Sequence, residues 1–281
     1  MTVKERVENV ASELTASERK LASALLADYP YAGLVSIQEL AKRAEVSAPS
    51  ITRFVAKIGL GGYQEFQRDL LLELKEGEKS PVELQDRGGR PAGGYLSDFI
   101  GRATALMADS AQAITEDQFA RICKLLSDPQ RSIYALGGRA SNTIAFQLSF
   151  HLRQARKDVF HLPSDVETWP EYLLRMRSGD ALFIADFRRY QTDLERLAEK
   201  ASARGVRIVL MTDKWLSPVA RHAAEVLAVP IESGTLWDTY TPALAVIEAI
   251  VTRIAEDNWE QTRTRIRAWD EVRIKERDSD K

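Results

Sequence analysis

Apolar positions in the first part of the chain recur every three or four residues. Val3, Val7, Val10 and Leu14 mark one such stripe. Thr15 and Glu18 form a capping-box pattern ahead of "RKLASALLADYP", and Ser36 and Glu39 repeat it ahead of "IQELAKRAEV". Ser47 is placed to cap a further helix, "APSITRFVAKIG", which tolerates Pro49 in its first turn and ends at Gly59. "GGYQEFQRDLLLEL" begins another helix. The second part changes period. "SIYAL", "DVFHL", "ALFIA", "VRIVLM" and "VLAVP" are short apolar runs bounded by turn residues, and helical patterns such as "TDLERLAEKASARG" separate most of them. Strands alternating with helices predict βαβ units and a parallel sheet covered by helices on both faces. The chain closes on two long helical stretches, "TPALAVIEAIVTRIAEDNW" and "EQTRTRIRAWDEVRIKER".

Between the two parts, "EGEKSPVELQDRGGRPAGG" holds Pro81, Pro91 and two glycine pairs among few apolar residues, the composition of a linker. The expected division is an all-α domain over 1–77, a linker over 78–94 and an α/β domain over 95–281. The apolar and charged fractions, 44% and 28%, are those of a globular chain. A net charge of -2 gives no global signature for nucleic acid or membrane. One cysteine, Cys123, excludes an intramolecular disulfide and a cysteine metal cluster, and its neighbours Phe119, Ile122 and Leu126 place it in a core. No apolar run approaches the roughly 20 residues that span a bilayer. The opening "MTVKERVENV" lacks the apolar core of a secretion signal, so a cytoplasmic protein with no membrane partner is expected.

The stretch "SIQELAKRAEVSAPSITRFVAKIG" holds two short helices joined around Glu45, Val46 and Ser47. In the second, Ile51, Phe54, Val55 and Ile58 share one arc. Pro49, Thr52, Arg53, Ala56 and Lys57 lie opposite. Small residues there permit close approach to a major groove, Arg53 can fork onto a guanine edge, and Lys57 can meet phosphate. An ordinary helical hairpin with a solvated face has the same periodicity. Lys42, Arg43, Arg53 and Lys57 stand against Glu45 alone over residues 42–57, a local charge of +3.

"SIQELAKRAEVSAPSITRFVAKIGLGGYQEFQRDL", with "LTASERKLASALLADYP" upstream, resembles the N-terminal helix-turn-helix domain of the RpiR family of bacterial transcription regulators. The resemblance implies double-stranded operator DNA as a partner, read by a homodimer or a dimer of dimers. The candidate DNA contacts are Ser36, Ser47, Pro49, Ser50, Thr52, Arg53 and Lys57. It also implies a C-terminal SIS-like (sugar-isomerase-like) domain that senses a small-molecule effector of the phosphosugar class and dimerises.

Two stretches of that domain depart from the family. After "SIYAL", the pattern G-x-G-x-S becomes Gly137-Gly138-Arg139-Ala140-Ser141, with Arg139 in place of the second glycine. This turn either needs glycine for its backbone alone or binds ligand, with Ser141 donating at the helix start. After "ALFIA", a pattern close to S-x-S-G-x-T becomes Asp186, Arg188, Arg189 and Gln191 at its four defined positions. The hydroxyl cradle is absent. An ionised Asp186 repels phosphate, while Arg188 and Arg189 either fork onto an anion or pair with Asp186 or Asp193. Gly137, Arg139, Ser141, Asp186, Arg188, Arg189 and Gln191 are thus the candidate effector residues. His161, Asp165, Asp213, Lys214, Trp215, Ser233 and Trp237 lie near other strand ends. No metal-ligand spacing, cofactor motif or catalytic residue is identified. The rival reading, a phosphosugar isomerase with an accessory helical domain, needs a general base, for which only Glu167 and Glu171 offer themselves.

Overall fold

The computed structural model describes residues 1–78, 82 and 94–273. Most of the linker expected over 78–94 therefore lies outside the described residues. The first part is helical: α1 (Val3–Asn9), α2 (Ala16–Ala27), α3 (Ile37–Arg43), α4 (Ala48–Lys57) and α5 (Tyr63–Glu78). Both threonine capping boxes close, at Thr2 with Glu5 and at Thr15 with Glu18. The Ser36 box closes only half. Ser36 Oγ accepts from Glu39 N at 3.2 Å, but the Glu39 carboxylate is taken by Arg43 one turn on, at 3.1 Å. The apolar stripe Val3–Leu14 is not one helix: α1 ends at Asn9, and a 3-10 turn over Ala11–Glu13 carries the chain to an extended Leu14. Leu21, Leu25, Leu40, Ile51, Phe54, Val55, Phe66 and Leu70 fill the core between these helices.

The second part contains α6 (Tyr95–Ala113), α7 (Glu116–Ser127), β1 (Ile133–Gly137), α8 (Asn142–Ala155), β2 (Val159–His161), α9 (Trp169–Arg175), β3 (Ala181–Ala185), α10 (Thr192–Ala203), β4 (Arg207–Thr212), β5 (Glu225–Ala228), α11 (Thr241–Asp257) and α12 (Trp259–Val272). The strands pair in parallel in the order β2-β1-β3-β4-β5. Their apolar runs alternate between two cores. Ile133, Ala135, Phe183, Val209 and Met211 face α7, α8 and α11. Tyr134, Leu136, Leu182, Ile184, Ile208 and Leu210 face the α10 side. The sheet is therefore buried on both faces, as unbroken apolar strands require. From β1 the chain crosses to β2 on one side and returns to β3 on the other, so β1 and β3 are neighbours whose C-terminal ends diverge into a crevice. In open parallel sheets this reversal is where ligands bind.

The two parts touch. Leu216, from the loop after β4, is buried in the N-terminal core. Arg221 pairs with Asp28 and with Glu195, and stacks over the Tyr31 ring at 4.0 Å. Arg188 Nη1 donates to the backbone carbonyl of Glu76 in α5. Among the described residues no helix is long and apolar enough to cross a membrane, and no group of acidic, histidine or cysteine side chains is placed to hold a metal ion.

One buried polar knot anchors the first helix. Glu73 of α5 accepts from Val3 N at 2.6 Å and from the Tyr29 hydroxyl, which itself accepts from Lys4 N at 3.1 Å. Burial pushes the Glu73 carboxyl up from its ordinary range, against the pull of these donors. Removing the hydroxyl leaves a buried carboxylate short of a partner. Tyr29→Phe is therefore expected to destabilise the chain by about 1–3 kcal/mol, read as a lower urea midpoint with unchanged slope. An unchanged midpoint would show that the knot contributes nothing.

Candidate functional site

The α3–α4 pair presents one face to the core and one to solvent. Ile51, Phe54 and Val55 are buried, while Pro49, Thr52, Arg53 and Ala56 are exposed. Glu45 takes a positive φ of 54° and turns the chain between the two helices. Ser36 and Ser47 are exposed at the starts of α3 and α4. Ser47 was expected to cap α4, but its Oγ lies 2.9 Å from Ser50 Oγ and makes no cap bond. Ser50 in turn accepts from Arg53 Nη2 at 3.2 Å, a weak exposed contact that leaves the guanidinium available. Lys57 departs from expectation. Its Nζ donates to the Glu13 carbonyl at 2.6 Å and to Glu18 Oε2 at 3.0 Å, which ties α4 to α2.

The second site lies at the β1/β3 crevice. A cavity of about 300 Å³ is lined by Arg139, Ser141, Asp186, Arg188, Arg189 and Gln191, six of the seven expected effector residues. Gly138, Ala140, Phe187, Leu236, Trp237, Asp238 and Tyr240 complete the wall. The seventh, Gly137, lies behind it. A Cβ there would come within 2.7 Å of the Ser141 carbonyl, so glycine lets β1 approach α8 closely. Gly138 marks a point of convergence: a Cβ on it would stand 3.2 Å from Ser141 Oγ, 3.4 Å from Asp186 Oδ1 and 3.6 Å from Gln191 Oε1.

Ser141 does not donate at the helix start as expected. It is buried, and its hydroxyl donates to the Ala185 carbonyl at 2.6 Å, bracing the end of β3. Arg188 pairs with neither Asp186 nor Asp193. Asp186 is held by Ser217 Oγ at 2.5 Å, and Asp193 contacts Arg196 at 3.4 Å. Arg188 Nε donates instead to Asp238 at 2.8 Å, and its guanidinium lies 4.1 Å from the Trp215 ring centre. Arg139 and Arg189 are exposed and, among the described residues, make no ion pair. Arg189 takes φ 68°, a left-handed backbone that favours glycine, at the position where the family pattern has glycine.

A model of the rpiR-family helix-turn-helix domain matches residues 1–77, and a SIS-domain model matches residues 125–253. The chain belongs to the RpiR family. It is a DNA-binding regulator of the RpiR type with a SIS domain behind the reading helices. It is similar to the HTH-type transcriptional regulator HexR of Pseudomonas aeruginosa, 24% identical over 262 residues that cover 89% of this chain and 88% of HexR. The sugar isomerase domain of an RpiR transcription factor from Sphaerobacter thermophilus superposes with a TM-score of 0.58 at 19% identity, over 63% of this chain and 98% of that one. The NanR protein of Vibrio vulnificus, complexed with ManNAc-6P, superposes with a TM-score of 0.54 at 18% identity, over 96% of this chain and 97% of that one. These likenesses show the SIS fold of the second part.

Within this RpiR chain, the SIS crevice holds buried carboxyls. Burial pushes Asp186 up to about 7; the Ser217 hydroxyl opposes the rise and the charge of Asp213 adds to it. Asp213, beneath the cavity, is pushed up to about 6 by burial, although it accepts from the Tyr190 hydroxyl at 2.6 Å and from Arg188 N at 2.7 Å. Leu236, Asp238 and Tyr240 had no signal in the sequence beyond a turn-rich, aromatic segment after β5. Trp237 lines the cavity and is exposed, whereas Trp215 is buried under Arg188. His161, Asp165 and Lys214 are not part of the cavity wall.

The raised carboxyls make stability fall with pH. A carboxyl that holds its proton to about 7 when folded, against about 3.9 unfolded, contributes stability that is complete below the unfolded value and lost as pH rises through 7. Asp186→Asn keeps an acceptor for Ser217 and removes the titration. Between about pH 5 and about pH 8 the variant should lose less stability than the parent, by about 3 kcal/mol in urea unfolding. A parallel fall in both proteins would place the titration elsewhere.

Proposed function

We propose that residues 1–77 read operator DNA through α4, that 78–94 is a linker, and that 95–281 binds a small polyhydroxylated anion and dimerises. The observation that carries the effector reading is the meeting of six sequence-selected residues around one cavity at the sheet's reversal point. Arg139 and Arg189, unpaired at this wall, suit a phosphate or carboxylate group. Asp186, Asp238 and the backbone around Gly138 suit hydroxyls, and Trp237 offers an aromatic face to a sugar-like ring. NanR, which shares the fold, is complexed with ManNAc-6P, and a phosphosugar is the first compound class to test.

For DNA, the support is the uncommitted outer face of α4, with Arg53 exposed at its centre and Pro49 and Thr52 beside it. Homodimerisation is supported by the exposed apolar side chains of Tyr95, Leu96 and Ile100 on α6 and of Trp259, Trp269 and Val272 on α12. The isomerase reading draws less support. Glu167 and Glu171 are exposed and do not line the cavity.

Arg53→Ala should weaken operator binding by about 1–3 kcal/mol and relax base preference at one position in each half-site, measured on a panel of single-base operator variants. A uniform loss across all sequences would make Arg53 a phosphate contact instead. For the SIS domain, a thermal-shift series on the full chain should show sugar phosphates or sugar acids raising Tm. The double variant Arg139→Ala, Arg189→Ala should weaken that binding about ten-fold or more, the cost of losing a charged hydrogen bond. An equal shift in parent and variant would remove these arginines from the site.

A further inference from the structure

The segment Arg188–Gln191 is a wall between two cavities. One is the crevice at the strand ends. The other, about 450 Å³, lies between the two parts of the chain, lined by Tyr31 of the N-terminal helices and by Tyr190, Thr192, Glu195 and Pro218 of the SIS side. Arg189 and Gln191 line both. A change at the crevice therefore reaches the interdomain contact through a single short stretch of chain.

Arg188 makes that connection directly. Its side chain is 4% exposed and lines the crevice. Nε is held by Asp238 on the crevice wall, and Nη1 donates to the Glu76 carbonyl of α5, the helix that leads out of the DNA-reading part. Among the described residues Nη2 has no hydrogen-bond partner, and it stands 3.8 Å from Glu232 Oε1. A buried guanidinium with one bond unmade, and one bond made only to a neutral carbonyl, gains by turning to a charged oxygen. The carbonyl of Glu76 is the weakest of its acceptors and the one that crosses between domains.

We propose that Arg188 is an anion-released tie between the effector crevice and the DNA-reading helices. This rests on the reading of the crevice as an anion site. Arg188 holds the last turn of α5 against the SIS domain. An oxyanion in the crevice draws the guanidinium off the Glu76 carbonyl, and α5 is freed. The contacts of Arg221 with Asp28 and Tyr31 lie elsewhere on the interface and hold, so the helices pivot rather than detach. Phosphate and carboxylate share the required chemistry.

The test is a distance measurement on the full chain without DNA. Spin labels go on Ser17→Cys and Lys200→Cys, both at exposed positions, in a Cys123→Ala background. The probes are inorganic phosphate and acetate at matched ionic strength. The parent should give a narrow distance distribution that broadens about two-fold with whichever anion raises its Tm. Arg188→Met should be broad with no anion present and should not change further when anion is added. Arg188→Met with the parent's narrow distribution would overturn the proposal. So would an anion that raises the parent's Tm and leaves its distribution unchanged. If neither probe raises Tm, the anion site itself is in question, and the anion-free comparison of parent with Arg188→Met still decides whether Arg188 is the tie. Circular dichroism checks folding. If Arg188→Met does not fold, Arg188→Lys replaces it with the same two outcomes, since one ammonium cannot copy the fork that spans Asp238 and Glu76.

Discussion

The pairing of β1 with β3 is the constraint from which the rest of the SIS site follows. The register runs from Ile133 opposite Ala181 to Gly137 opposite Ala185, so both strands end at the same level. The Ala185 carbonyl then collects two donors from the other strand's loop, Gly138 N at 2.9 Å and Ser141 Oγ. These bonds hold the Gly137–Ser141 turn against the start of the Asp186–Gln191 segment. With the turn and the segment held together, the crevice has fixed walls before any ligand arrives. The departures from the family pattern sit on this frame. They set which side chains face the cavity.

The charges on that frame fall into two kinds. Arg188, Asp186 and Asp213 are buried and bonded to protein groups. Arg139 and Arg189 are exposed and, among the described residues, form no ion pair, so their positions are open to a ligand. A buried pair such as Arg188 with Asp238 is weak evidence for stability, because desolvation offsets much of the attraction. The same contrast holds in the reading part, where Lys57 is committed to Glu18 and Arg53 is not.

Local geometry was legible in the sequence and distant pairing was not. "ALFIA" coincides with β3, and Thr15 with Glu18 makes the box its spacing implies. These depend on residues a few positions apart, where chain geometry leaves few choices. Ser47 failed as a cap because Ser50, three residues on, competes for its hydroxyl. Arg188 was assigned partners within five residues, yet its bond goes to Asp238, 50 residues on, through a loop whose path no periodicity describes. Lys57 likewise reaches Glu18, 39 residues back, across a helix packing that the apolar pattern implies only in outline. The cavity's location was legible through the strand-end rule. Of its far wall only Trp237 was named, because that loop has no strand of its own to place Leu236, Asp238 and Tyr240.

Arg189 shows how such a site can drift. Its φ of 68° is comfortable for glycine and strained for arginine by roughly 1 kcal/mol. Replacement by glycine would relax the loop and erase the guanidinium in one step. Selection on folding alone therefore pushes this position toward glycine, and only a benefit from the charge opposes it. Over evolutionary time the residue at 189 becomes a record of whether the crevice is still in use: a lineage that stops needing its ligand has a downhill path away from arginine.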